Sequence, residues 1–298
     1  MPDHLTYFNP DPNQLDRIAG QVEPMLTAIV LNNQLYGSDN AIPKLVYHYT
    51  SFDGFKGIVE GHYFRATLSE SLNDATEGRY ATKAITAHLS GPEDAFAEIP
   101  DWPNSDEKEP PKWTFVTCFC SDPDNLNLWR AYANRGGGFA LGFRPAGLTN
   151  LRPNGIPTTY KPQFLKMHYG KKLTEHMKAA LNGADRAKVK WILQNAIKHP
   201  AFRSEREWRL FIAAPDIVTD PLLKAMDFTI GTSTVKAFLT AQLPQLENQT
   251  RRLPLEKVIY GPTLRRDVGL KKTLEWLLRK NGYENVEVRA SKVPYRLS

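Results

Sequence analysis

Apolar side chains recur along this chain in two periods, and the change from one to the other divides it into elements. Over residues 12–34, Leu15, Ile18, Val22, Met25, Leu26 and Ile29 return at three- and four-residue steps, which predicts a helix with one face on a core. Ser38-Asp39-Asn40 breaks that pattern. Leu45-Val46-Tyr47-His48-Tyr49-Thr50-Ser51 then predicts a short strand, and Gly57-Ile58-Val59-Glu60-Gly61 the end of a short helix. Alternate side chains of a strand share a face, so Val46, His48 and Thr50 are expected on one side and Leu45, Tyr47 and Tyr49 on the other. A histidine in such a strand either reaches a cleft at the strand's end or is satisfied by backbone partners.

The same alternation continues downstream. Residues 62–66 predict a strand. Asp74 with Glu77 resembles a capping box opening a helix over 75–89. Residues 91–112, rich in Pro and acids, predict a surface loop or lid. Trp113–Cys120 is almost wholly β-branched or aromatic and predicts a central buried strand. A short helix carrying Trp129 and Tyr132 on one face follows, closed by Gly136-Gly137-Gly138 before the strand 139–143. In the second half, strands are expected over 164–169, 207–212, 234–239, 257–260 and 286–288, and helices over 171–181, 186–198 and 266–280. This is an α+β pattern: an N-terminal helical segment over 1–44 and one α+β domain over 45–298.

Composition is that of an ordinary globular chain: 298 residues, 41% hydrophobic and 23% charged. No apolar run approaches a membrane span, and Met1-Pro2-Asp3-His4 opens no signal peptide. The two cysteines, Cys118 and Cys120, make no disulfide scaffold, and no second Cys/His cluster completes a metal site with them. The expectation is a cytoplasmic protein with no metal and no membrane association. Charge is unevenly spread. Residues 1–150 carry 11 Lys and Arg against 19 Asp and Glu, a net of −8, while residues 151–298 carry 27 against 13, a net of +14. A basic half points to a polyanionic partner, nucleotide or nucleic acid. A triple glycine without G-x-G-x-x-G or a Walker lysine supports neither a Rossmann nor a P-loop reading.

The chemistry concentrates in Ser204-Glu205-Arg206-Glu207-Trp208-Arg209. In an extended chain Glu205, Glu207 and Arg209 share a face and Trp208, Leu210 and Ile212 the other. Two carboxylates beside an arginine at the head of a buried strand are either a structural ion pair or the centre of a site.

The order of His-Tyr-Thr-Ser, Leu-Asn-Asp-x-x-Glu-Gly, Cys-Phe-Cys-Ser, Leu-Trp-x-x-Tyr-Ala, Gly-Phe-Ala-Leu-Gly-Phe, Glu-x-Glu-Trp-Arg and Val-Ile-Tyr-Gly-Pro resembles the bacterial family called domain of unknown function 2971, over about residues 45–296. Cys120 stands where that pattern has serine, and Phe64 where it often has tryptophan. More distantly the layout resembles the ADP-ribosyltransferase superfamily, whose early strand bears His or Arg and whose later strand opens with Glu-x-Glu. His48, Ile58 with Gly61, and Glu207 fit those places, and Tyr132 or Thr117 the middle element. That resemblance implies a mixed or antiparallel β core flanked by helices, with NAD as substrate and a macromolecular acceptor, nucleic acid among the candidates. It implies Glu207 as the carboxylate facing the oxocarbenium-like ribose. Glu205 would position or deprotonate the acceptor. His48 with Tyr49, Thr50 and Asn73 would line the cofactor cleft. Tyr132 or Trp129 would stack on nicotinamide, and Arg209 would pair with Glu205 or bind a pyrophosphate. A toxin or phage-defence effector would suit such an activity. The competing readings are a metal-dependent nuclease using Asp74, Glu77 and Glu207, and a nucleotide- or nucleic-acid-binding module without turnover.

Overall fold

The computed structural model describes residues 28–37, 41–72, 77–89, 113–154, 162–183, 186–214, 220–230, 234–244 and 252–295. The described residues begin with α1 (28–36), β1 (Val46–Thr50), α2 (Phe52–Gly61), β2 (Tyr63–Leu68), α3 (Glu77–Leu89) and β3 (Trp113–Cys120). They continue through α4 (Leu126–Tyr132), β4 (Phe139–Phe143), α5 (Pro145–Leu148), β5 (Arg152–Pro153), β6 (Gln163–Lys166) and β7 (His168–Tyr169). Next come α6 (Glu175–Leu181), α7 (Arg186–Ala196), β8 (Ile197–Lys198), β9 (Glu207–Ala214), α8 (Asp220–Ala225) and β10 (Met226–Ile230). Last are β11 (Val235–Gln242), β12 (Leu255–Tyr260), α9 (Leu270–Lys280) and β13 (Glu287–Ala290). The result is a mixed α+β protein whose main sheet is antiparallel except for the β12–β13 pair.

Local chemistry sets several boundaries. Ser51 caps α2 by accepting the Gly54 N–H at 3.2 Å, and His62 ends it in a left-handed turn with φ 55°. Thr174 caps α6 by accepting from Met177 N, so that helix starts four residues later than periodicity alone predicts. The expected helix 186–198 stops at Ala196 because Ile197 and Lys198 pair with β7 instead. The expected strand 164–169 is split at Met167, whose N–H turns to the Glu207 carbonyl. Edge strand β6 is covered by α1: the Asn32 amide donates to Phe164 O and accepts from Lys166 N, as a neighbouring strand would.

The feature that positions the site is the central strand β3. One edge pairs with β9 along its whole length, from Trp113 opposite Ala214 to Cys120 opposite Glu207. The other edge is divided. Phe115 and Val116 face Leu68 and Thr67 of β2, whereas Cys120 faces Tyr47 of β1. β1 and β2 therefore part company along β3 and leave a fork at residues 117–119. One apolar cluster, containing Val46, Phe64, Phe119, Trp208 and Leu210, fills one side of the sheet. A second, built from α1, α6 and α7, covers Val116 and Phe211 on the other side. A third packs α4 onto Tyr47, Tyr49 and Cys120.

A candidate active site at the fork

A cavity of about 170 Å³ opens at this fork. Tyr47 and His48 of β1, Cys118 and Cys120 of β3, Leu128 and Tyr132 of α4, and Lys198, Phe202, Glu205, Glu207 and Arg209 all border it. Pockets for whole drug-sized ligands run to roughly 300–1,000 Å³. This one matches a single flat ring, or the reactive end of something larger.

Four charged side chains form its polar wall. Glu207 is 4% exposed and Arg209 2%. Arg209 Nε donates to Glu207 Oε1 at 2.6 Å and its Nη2 to Oε2 at 3.2 Å. Lys198 Nζ donates to Glu207 Oε2 and to Glu205 Oε2, both at 2.8 Å. The second oxygen of Glu205 accepts from the Tyr132 hydroxyl at 2.8 Å. Within this cluster two cations face two carboxylates, and Lys236 of β11 also borders the cavity. Burial alone would raise the Glu207 pKa, but the charges and hydrogen bonds of Arg209 and Lys198 outweigh it and hold the carboxyl at about 2. Burial would likewise lower Lys198, yet Glu207 and Glu205 hold it above the ordinary lysine value against the repulsion of Arg209. The Cys118 thiol donates to the Glu207 carboxylate, and burial first, then that negative charge, keeps it protonated. It is no nucleophile.

His48 meets the fork differently. Cross-strand register puts Tyr47, Cys120 and Glu207 on one face, and Phe119, Trp208 and the His48 Cα–Cβ bond on the other. The ring stands edge-on to Phe64 and Phe119, with centroids 5.7 and 5.8 Å away. Its Nδ1 lies 2.9 Å from the Cys118 carbonyl. A carbonyl only accepts, so Nδ1 carries the proton and donates, occupying a backbone group that the parting of β1 and β2 leaves unpaired. Burial lowers the ring's pKa in spite of that bond. His48 and Glu207 border the same cavity, but they enter it from opposite faces of the sheet.

The other expected site residues separate into two groups. Glu205, Tyr132 and Arg209 reach the wall. Arg209, however, pairs with Glu207 and the Asn195 carbonyl and not with Glu205. The reason is that Glu205 lies in the 3-10 turn Pro200–Glu205, and the left-handed Arg206, with φ 46°, takes it off the strand's alternation. Trp129 does not reach the cavity. It is fully buried, its indole N–H donates to Asp124 Oδ1 at 2.8 Å, and Tyr49 stands edge-on against it, so it presents no face to a nicotinamide ring. Tyr49 borders the cavity with its hydroxyl already engaged, donating to the Asp122 carbonyl and accepting from Asn125 N. Thr50 is buried beside Gly54 and does not border the cavity. Thr117 is buried, its hydroxyl directed at the Arg65 carbonyl. Asn73 and Asp74, and the side chain of Glu77, lie outside the described residues. Among the described residues no three His, Cys, Asp or Glu side chains gather as a cation site.

Sequence reading missed Lys198. It sits at the tail of a helical pattern, and only the β7–β8 pairing turns it inward. A lysine flanked by Ile197 and an approaching Glu-x-Glu is a weak signal, legible only after the pairing is known.

The profile of the family described as "Protein of unknown function (DUF2971)" matches residues 128–210, from α4 into β9, a span that holds Tyr132, Lys198, Glu205, Glu207 and Arg209. No curated protein and no solved structure matches the chain. No helix among the described residues is long and apolar enough to cross a membrane.

Proposed function

We propose that this protein is an enzyme of ADP-ribosyltransferase-like core and chemistry, cleaving the nicotinamide–ribose bond of NAD and passing ADP-ribose to a macromolecule. The observation that supports the reading is the carboxylate pair, Glu205 and Glu207, joined through Lys198 at the wall of a one-ring cavity that also takes in His48. Nicotinamide leaves a cationic nitrogen as a neutral ring and takes the bonding electron pair with it, so departure requires no proton donor. The ribose carbon left behind is electron-poor, and a fixed carboxylate lowers the energy of that state.

The roles divide by exposure. Glu207 has both oxygens occupied by cations, so it serves as the anchor that holds Lys198. Glu205 is the more exposed of the two, each of its oxygens accepts one hydrogen bond, from Tyr132 and from Lys198, and it is the carboxylate that meets the ribose. As the acceptor's nucleophile bonds to the ribose carbon, Glu205 takes its proton. Tyr132, 39% exposed, supplies the aromatic face. His48 offers Nε2 as a hydrogen-bond acceptor from the fork side, its Nδ1 being used on Cys118 O. A toxin or phage-defence effector remains the biological setting that suits this activity.

One observation favours a second reading. Both oxygens of the most buried carboxylate, Glu207, are taken up by cations, which suits a module that binds a ring without turning it over. Nicotinamide release from NAD by the purified protein, with and without cell lysate, separates the two. Under the transferase reading Glu205→Gln lowers turnover by about 10²-fold or more, the scale of a lost acid–base or electrostatic group. Absence of release by the unaltered protein under both conditions, with NAD still bound, overturns catalysis and leaves the binding module.

A further inference from the structure

A second groove, of 870 Å³, lies on the other side of the segment 202–207. That segment serves both concavities. Phe202, Glu205 and Glu207 border the cavity at the fork, while Arg203, Ser204 and Arg206 border the groove. Lys166 at the end of β6 completes a set of three cations, the two arginines on one turn and the lysine on a separate strand. Among the described residues lining the groove Glu207 is the one acid, and its carboxylate is turned away to Lys198 and Arg209. The arginines are only lightly engaged: Arg203 donates to the Tyr169 carbonyl at 3.2 Å, and Arg206 stands 4.0 Å from Asp122. Arg206 is held in the left-handed region, uncommon for a side chain of its kind, with 68% of that side chain exposed to solvent.

We propose that this groove binds the phosphate backbone of a single-stranded nucleic acid. Two things favour a strand over one phosphate group. The groove is five times the volume of the fork cavity, and residues 151–298 carry the net charge of +14. A concave trough admits one strand, whereas a duplex presents a convex rod. The inference does not depend on NAD chemistry.

The test is fluorescence anisotropy of a labelled twelve-nucleotide oligothymidine with the full chain, without NAD, between 50 and 200 mM NaCl. Each phosphate neutralised on a single strand contributes about −0.7 to the slope of log K against log salt. Three cations give a slope of roughly −2, a weakening of about 20-fold over that range. Arg203→Gln with Arg206→Asn, the asparagine chosen because it tolerates the left-handed turn, leaves a slope of about −0.7 and a weakening of about 3-fold. Lys166→Gln alone removes about 0.7 from the slope, and thermal unfolding of each variant verifies its fold. No binding at 50 mM salt, or a slope unchanged in all variants, overturns the proposal. So does displacement by polyglutamate as effective as by unlabelled strand, or displacement by millimolar NAD, which would reassign the groove to a pyrophosphate.

Discussion

Replacing Lys198 by methionine tests the charge balance on which the candidate site rests. The side chain is 6% exposed, makes two 2.8 Å charge-assisted hydrogen bonds, and lies 4.6 Å over the Phe202 ring. Methionine keeps most of the stem and removes the charge. Two carboxylates would then face one another beside one guanidinium, which, of the two, is bonded to Glu207. Breaking a buried pair by removing one partner costs about 3–5 kcal/mol. At about 2 °C per kcal/mol for a chain of this size, the melting temperature falls by roughly 6–10 °C at pH 7.5. The loss depends on pH with a definite sign. Glu207 is held at about 2, below its ordinary 4.5, so its contribution is complete above 4.5 and disappears as pH falls toward 2. Without Lys198 its pKa moves back up, acid takes less from the variant, and the gap narrows between pH 5 and pH 3. Lys198→Met combined with Glu205→Gln restores neutrality while leaving the Arg209–Glu207 pair intact, and recovers most of the loss. Differential scanning fluorimetry of the three proteins from pH 7.5 to pH 3 reads this directly. A fall under about 2 °C at pH 7.5, or a gap constant across the pH range, would refute the reasoning.

Two further expectations concern the fork and the turns around it. His48→Ala leaves the Cys118 carbonyl without its donor and costs about 1–3 kcal/mol in urea unfolding at pH 7.5. Because burial holds the His48 pKa below 6.5, the wild-type histidine loses stability as pH falls from 6.5 toward that lower value, and the variant's curve is flatter there; parallel curves would contradict the assignment. At Gly138 an added methyl would sit 2.2 Å from the Thr50 carbonyl oxygen and 3.0 Å from Ala133 backbone atoms, so Gly138→Ala costs about 3 kcal/mol. Gly57, inside α2 with open space around it, gains about 0.5–1 kcal/mol as alanine. Equal effects at the two glycines would sink the steric argument.

Much of the strand framework is legible in local pattern. β1 and β3 are rich in β-branched and aromatic residues, β4, β9 and β12 are short, mainly apolar stretches, and the alternation that sends Tyr47 and Tyr49 one way and Val46 and His48 the other is observed. β10 escapes pattern reading because Asp227, Phe228, Thr229 and Ile230 are all exposed, so no buried face imposes alternation on them. Trp129 and Tyr132, three apart on one helix, look equivalent in sequence. Asp124 separates them by taking the indole N–H inward, and that bond has no local signature. The fork itself is invisible for the same reason. It arises from which strands pair with β3, and pairing across 47 to 101 residues is written nowhere in any one segment. Arg209 was legible as a partner for a carboxylate, but the choice of Glu207 over Glu205 follows from the left-handed turn at Arg206.

Asp124 also sets a schedule. It stands in the loop between β3 and α4, two elements that supply the cavity with Cys118, Cys120, Leu128 and Tyr132. It accepts from Ser291 Oγ at 2.5 Å, 167 positions later in the chain, and from Lys292 N at 2.6 Å. During synthesis Asp124 therefore waits for these two partners until residue 292 has been made, long after the carboxylates of β9, although Tyr49 already holds the neighbouring Asp122 and Asn125. A nascent chain that has passed β9 thus carries the cluster of Lys198, Glu205, Glu207 and Arg209 before the loop between β3 and α4 has its full set of bonds.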